Sequence, residues 1–301
     1  MGWATLLVAL ACRSASGTPD VDRIEELDAT KIRECYDLAR RPPSPRLKEI
    51  IATPCSLRWG GRPCKGRTTM ADSMGAGRCE ARYHDETQTI YAMNDARSMC
   101  GVITGAVKVG AIATTEAGAQ TMLIDVGAAF SGEAIVGHKM GFRVAAFEAR
   151  EVEYQNIVNA TRRFRGIDVV HAAVTDKPGP VELYMAADSS SMLAGAITGG
   201  AEQRKHRYEP KQVVTVPGVV LDEYATLHNA RVAFLMIDVQ GVEYYVLRGA
   251  RKILSESAPM LMFEYDARLA GPGAPKVLCL VQSFGYECAL QGGNAICIKQ
   301  P

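Results

Sequence analysis

The 301-residue chain lacks a charge imbalance. Its 34 Lys and Arg nearly cancel 33 Asp and Glu, and the net charge is +1. No global field therefore draws nucleic acid or an anionic membrane. The body of the chain lacks an apolar run long enough to span a bilayer. It lacks internal repeats, and its nine cysteines lack the paired CxxC knuckles of a zinc site. The five histidines are scattered, so no metal centre is expected from them. His171, inside an apolar strand, reads as packed rather than catalytic. Strand-end acids leave Mg²⁺ open as an alternative. What is present is ordinary for a globular protein, with enough length to bury a substantial core.

Residues Trp3 to Cys12 form an apolar run of signal-peptide length, followed by the small residues of "SASG". No basic residue precedes the run, and Arg13 interrupts its end. The expectation is a signal peptide or signal anchor over 1–17, with an apolar N-terminal helix or a misplaced start as the plain alternative. Removing Cys12 leaves eight cysteines. Four of these, Cys55, Cys64, Cys79 and Cys100, fall in or beside a Gly/Arg-rich stretch with little periodicity, which cross-links would stabilise in an oxidising compartment. "YECALQGGNAICIKQ" reads as a hairpin turning on Gly292-Gly293, which sets Cys288 opposite Cys297. A disulfide or two packed thiols both fit there.

Residues 18–118 read as a helical, cysteine-containing, loop-rich extension. "RIEELDATKIRECYDLAR" has helical spacing and stops at "RRPPSPR". From Ile50 to about Cys100 the expectation is loops, then a helix in "SMCGVITGAVKVGAIATT". From 119 to 301 the pattern becomes regular. "TMLIDVG", "RVAAFE", "IDVVHAAVTD", "VELYM", "QVVTVPGVV", "VAFLMIDVQG" and "PMLMFEYD" read as strands. Helices are expected in "SGEAIVGHKMG", "EVEYQNIVNATRRF", "VEYYVLRGARKILSES" and "PKVLCLVQSFG". In the third of these, Val242, Tyr245, Val246, Gly249 and Ile253 are expected inward. The fold class is α/β: a doubly wound, mostly parallel sheet closed by an antiparallel C-terminal hairpin.

Ligands of such sheets sit beyond the carboxyl ends of the strands. In "TMLIDVGAAFSGEA" Gly127 permits a sharp exit from the first strand, and Ala128 and Gly132 let a ligand approach the backbone. Glu148, about 20 residues on, can accept hydrogen bonds from ribose hydroxyls. The turn is not the G-x-G-x-x-G of a pyrophosphate site. Asp125 in front of it suits a cation, and the sheet ends antiparallel. These features favour S-adenosylmethionine over a dinucleotide.

From Thr121 onward the chain resembles the FkbM family of S-adenosylmethionine-dependent, class I Rossmann-like methyltransferases. "LIDVGAAFSGEA", "RVAAFEA", "HAAVTDKPGPVELY", "VVTVPGVVLDEY" and "FLMIDVQGVEYYVLRGARKIL" match its pieces in order. The resemblance implies methyl transfer to oxygen, often on a sugar or small natural product. It implies Asp125 and Gly127 at the methionine part of the cofactor, Glu148 at the ribose, and Asp176 or its neighbours near the adenine. Asp238 would then lie near the methyl group and the acceptor. The chain carries Ala129 where the family usually has Asn, Ser131 where it has Gly, and Gln240 where it has an acid.

Transfer to a hydroxyl needs alignment and a base. Asp238 is the candidate base, its plain alternative being a cap on the following turn. Glu264, ending an apolar strand at the same edge, is the candidate contact for acceptor hydroxyls. Glu243 reads as a nearby partner or as a solvated helix carboxylate. "EQRKHRYEPK" reads as a solvated loop or as a lid for an anionic acceptor. Asn159-Ala160-Thr161 is a glycosylation sequon if the chain is secreted. The expected partner is a small-molecule or glycan acceptor, with no nucleic acid and no membrane span beyond a signal anchor. A degenerate member that binds without catalysis, and a dinucleotide oxidoreductase, are the alternatives.

Overall fold

The computed structural model describes residue 19 and residues 21–57, 86–112, 121–185, 192–194, 212–265 and 274–300. The signal segment, Cys64, Cys79 and the "EQRKHRYEPK" loop lie outside the described residues.

Among the described residues, four helices precede the first strand: α1 (Val21–Glu25), α2 (Ala29–Ala39), α3 (Pro45–Ala52) and α4 (Glu86–Lys108). Asp28 caps α2 by accepting from the Lys31 amide. Ser44 caps α3, with Pro45 at its first position. The sequence reading placed loops up to about Cys100, but α4 starts at Glu86. Within it Ala96, Met99, Cys100 and Ile103 form a buried helical stripe, which the glycines obscure in the sequence.

The order then runs β1 (Thr121–Val126), α5 (Gly132–Lys139), β2 (Arg143–Glu148), α6 (Glu151–Thr161), β3 (Ile167–His171), β4 (Ala173–Val174), β5 (Gly179–Met185), β6 (Met192–Ala194) and β7 (Gln212–Val219). It continues with α7 (Leu221–Leu227), β8 (Arg231–Ile237), α8 (Glu243–Arg248), a π-helix over Ile253–Ser257, β9 (Met260–Glu264), α9 (Ala274–Ser283), β10 (Tyr286–Gln291) and β11 (Asn294–Lys299).

Among the described residues, seven strands form the main sheet in the order β10-β11-β9-β8-β1-β2-β3. Only β11 opposes its neighbours, entering antiparallel between β9 and β10. The doubly wound, class I architecture expected of the sequence is therefore present. In the closing hairpin Gln291 faces Asn294 and Cys288 faces Cys297, joined as a disulfide.

Two readings need correction. "IDVVHAAVTD" is not one strand, because the chain leaves the main sheet after His171. β4 instead joins a second sheet of order β4-β7-β5-β6, whose pairing partners are distant in sequence. In α8 it is Tyr244 and Leu247 that are buried beside Val246, while Tyr245 is only partly so. The π-helix after it buries Ile253, as expected, together with Leu254.

Continuous apolar strands arise because both sheet faces are covered. Met122, Ile124, Leu235, Ile237, Leu261 and Phe263 pack on one side with residues of α2, α7, α8 and α9. Leu123, Phe234, Met236, Met260 and Met262 pack on the other with α3, α4 and α5. The N-terminal helices thus share both cores with the sheet. Disulfides Cys35–Cys279 and Cys55–Cys100 tie α2 to α9 and the α3 exit to α4. No helix among the described residues is long and apolar enough to cross a membrane.

Candidate active site

Parallel strands β1, β2, β8 and β9 bring their carboxyl ends to one edge, and each ends in or beside an acid. Asp125 comes from β1, Glu148 from β2, Asp238 from just past β8 and Glu264 from β9. Residues far apart in sequence meet here because one register aligns all four strands.

The turn after β1 is shaped by a close approach of backbones. Gly127 adopts φ +84°, and a Cβ on it would lie 1.9 Å from the Asp238 carbonyl oxygen. Only glycine fits. The amides of Gly127 and Ala128 both donate to the Phe147 carbonyl, at 2.9 and 3.1 Å. Ala128 is buried, and Gly132 opens α5 as a buried first residue. Ser131, at the cap of α5, takes φ +57° without making a cap bond. That left-handed conformation accounts for the glycine the family resemblance places there.

Asp125 is 2% exposed, and its Oδ2 has no hydrogen-bond partner. The Ala134 amide, in the first turn of α5, donates to the carboxylate. Burial, then the like charges of Asp238 and Glu148, push Asp125 up to about 8. Glu148 accepts from the Arg150 amide at 2.8 Å, yet burial raises it to about 7.

Asp238 and Glu264 are joined by a residue that the motif reading took only as a departure. Gln240 Nε2 donates to Asp238 Oδ1 at 2.8 Å and to Glu264 Oε2 at 2.9 Å. Burial raises Asp238 above the ordinary carboxylate range, and the Gln240 bond opposes that rise. Glu243 is buried rather than solvated. Its carboxylate accepts from the Gly241 amide at 2.9 Å and fixes the Val239–Val242 turn. Burial pushes it up to about 7. Its spacing two residues after Gly241 was the available sign of a local cap.

Asp176 is tied elsewhere. Its Oδ2 lies 3.3 Å from Arg248 Nε, in a network where Arg248 and Lys276 also hold Glu25 of α1. Beside Gly127 opens an apolar recess instead, walled by Phe147, Ala149, Ala172, Leu183, Val239 and Val242. Leu183 comes from β5 of the second sheet, which depends on long-range pairing, and Ala172 from the link between β3 and β4, so neither is marked by a local pattern. His171 is packed as expected, stacked on Tyr154 at 4.8 Å, with Nε2 3.1 Å from the Ala149 carbonyl. Among the described residues no group of three or more His, Cys, Asp or Glu is arranged to hold a metal ion.

The family model described as "Methyltransferase FkbM domain" matches residues 125–288, more than half of the chain. The chain belongs to the FkbM methyltransferase family. The match opens on Asp125 and closes on Cys288, so it spans every strand-end acid of the site. A search of curated proteins returns no match. Among solved structures, the FkbM methyltransferase from Methylobacillus flagellatus KT is 13% identical with a TM-score of 0.42. That likeness covers 76% of this chain and 64% of the other, so the chain spans under two thirds of its length. A putative caffeoyl-CoA O-methyltransferase from Staphylococcus aureus is 10% identical, covering 73% and 87% at a TM-score of 0.36. A mutant of MtNAS in complex with S-adenosylmethionine is 12% identical, covering 99% and 97% at 0.36. Membership of the FkbM family rests on the sequence match.

Proposed function

We propose that this FkbM-family protein binds S-adenosylmethionine at the acidic strand edge and methylates a hydroxyl of a sugar, glycan or small metabolite. The observation that carries the reading is Asp125: an enclosed carboxylate, flanked by two others, with one oxygen unpartnered. In its ionised form such a group is costly unless a cation completes it. An ammonium-bearing ligand supplies that charge. The remaining residues fit the same cofactor. Glu148 would accept from the ribose hydroxyls, and the recess at Ala149, Ala172, Leu183 and Val242 would take the adenine ring. Asp176 remains the proposed contact on that side only if Arg248 releases it.

When bound, the cofactor supplies an electrophilic methyl group on a sulfonium. The chain's own work is alignment and proton removal. Gly127 keeps the strand edge open at the backbone. Asp125 holds the positive end of the ligand. Asp238 and Glu264 face the acceptor side, where Tyr265 follows Glu264 and stacks on Tyr36 of α2 at 6.1 Å. Carboxylates beside tyrosine rings suit a polyhydroxylated acceptor, which supports the sugar or glycan reading. Three disulfides among the described residues support a location in the secretory pathway.

Calorimetry against S-adenosylmethionine and NAD tests the cofactor, with binding expected for the former alone. Failure to bind S-adenosylmethionine rejects the reading. A tritiated methyl-transfer screen over glycans, small phenols and proteins then identifies the acceptor, with label expected on a hydroxylated sugar or metabolite.

A further inference from the structure

We propose that Asn159 carries an N-linked glycan, attached before α6 folds and held at the end of the sheet away from the acidic edge. The inference rests on the secretory-pathway reading, which the three disulfides among the described residues support. Asn159-Ala160-Thr161 has the three parts such a glycan needs: an Asn amide, a middle residue other than proline, and a hydroxyl two places on. It is the only such triplet in the sequence.

The fold separates the two groups of this triplet. The triplet ends α6, and helical residues two apart point roughly 200° away from each other around the axis. Asn159 is exposed. Thr161 is 3% exposed, and its Oγ1 donates to the Ile157 carbonyl at 2.7 Å. A transferase has to engage amide and hydroxyl together. Folded α6 cannot offer both, whereas an extended or turned chain can. Synthesis leaves time for this. β1 gains its second neighbour only when β8, starting at Arg231, has been made, and Cys35 waits for Cys279.

The folded state accommodates the product. α6 runs opposite to the strands it covers. Glu151 at its start lies 3.2 Å from His171 at the end of β3, and the chain after Thr161 turns through Phe164 into the start of β3. Asn159 is therefore about 12 Å along the helix from the strand ends that carry the acids. A glycan there leaves the cofactor edge open. Two turns earlier on the same face, Val152 is 65% exposed, and β3 ends the main sheet among the described residues. The glycan shields this apolar side chain and the open edge from other copies of the chain.

The donor is an oligosaccharide on a polyprenyl diphosphate. Asn159 Nδ2 forms the new bond to the anomeric carbon. The bond from that carbon to the diphosphate oxygen breaks, and its electron pair leaves with the diphosphate. One amide proton passes to a base of the transferase, and nothing is oxidised or reduced.

The test expresses the full chain, with its own N-terminus, in insect cells as wild type, Asn159→Gln, Thr161→Ser and Thr161→Val. Wild type and Thr161→Ser should migrate faster after treatment with peptide N-glycosidase, which turns a modified Asn159 into aspartate in its tryptic peptide. Asn159→Gln and Thr161→Val should lose that shift completely. Should Thr161→Val not fold, the exposed Asn159→Gln still decides. Secreted wild type with Cys35–Cys279 formed and Asn159 unmodified overturns the site. Wild type left in the cytosol with free thiols instead rejects the secretory reading beneath it. For the order of events, solubilised microsomal transferase and lipid-linked donor are given bacterially made protein, either folded with its disulfides or reduced and unfolded. Transfer is expected to the unfolded chain alone, and equal transfer to both, or to neither, overturns the proposal.

Discussion

Asp125, the proposed anchor for the cofactor's positive charge, bears on stability and on ligand binding at once. Burial and like charges hold its carboxyl at about 8, far above an unfolded aspartate. A carboxyl raised on folding stabilises fully below its unfolded pKa, and that contribution is lost as pH rises through its folded pKa. The ligand-free protein is therefore expected to lose stability between about pH 4 and pH 8. A cationic ligand reverses the sign locally, since it favours the ionised form. Affinity for S-adenosylmethionine should rise by up to about tenfold per pH unit as pH approaches 8. Asp125→Asn should flatten the stability slope, raise Tm at pH 8 and weaken binding; thermal melts at several pH values and titration calorimetry check this. Gly127 offers a steric counterpart. With a Cβ 1.9 Å from a carbonyl oxygen at φ +84°, Gly127→Ala should cost more than about 2 kcal/mol in chemical denaturation.

At the scale of elements, the entry to α5 carries a defect that the sequence motif already marked. Ser131 occupies a left-handed cap without using its hydroxyl on the helix amides. Ser131→Gly should therefore stabilise by about 0.5–1 kcal/mol, read from the urea midpoint at unchanged slope. No effect would mean that its buried side chain contributes packing equal to the strain. The same scale explains where element reading worked. "TMLIDV", "RVAAFE" and "MLMFE" were legible as strands because both faces of the sheet are covered and the apolar run is unbroken. The hairpin register was legible because a two-residue Gly-Gly turn admits one pairing. The break after His171 was not, because β4 changes sheet to meet β7, about 45 residues further on, and no local pattern encodes that partner.

For the whole molecule, the N-terminal helices act with the sheet rather than ahead of it. Ile24, Cys35 and Ala39 belong to the same buried cluster as β1 and α9. Cys35–Cys279 closes a loop of 244 residues in sequence and joins the two ends of the described chain. Gln282 Nε2 donates to the Cys35 carbonyl at 2.9 Å beside it, and Lys276 holds Glu25. Removing this link by Cys35→Ser with Cys279→Ser should cost about 2–4 kcal/mol by its effect on the unfolded chain. The loss should exceed that from cutting the nine-residue Cys288–Cys297 link, where the closed loop is short. Denaturation curves of the two double variants decide the order, and a reversed order would place the stabilisation in native contacts instead.

Family, cofactor class and the acids at the strand ends were readable along the chain, because each follows from a local pattern: an apolar run, a small-residue turn, a terminal carboxylate. The antiparallel close of the sheet and the facing positions of Cys288 and Cys297 followed from the hairpin alone, whereas the disulfide between them did not. The rest required residues to meet across distance. Cys35 reaches Cys279 only once α2 lies on α9, and the apolar recess exists only where the second sheet meets β1 and β2. Gln240 looked like a lost acid in one dimension. Its meaning comes from Glu264, 24 residues later, which β8 and β9 deliver to the other hydrogen of the same amide. Local sequence specifies backbone periodicity and end groups, whereas hydrogen bonds between distant side chains depend on a register that the packed sheet alone sets.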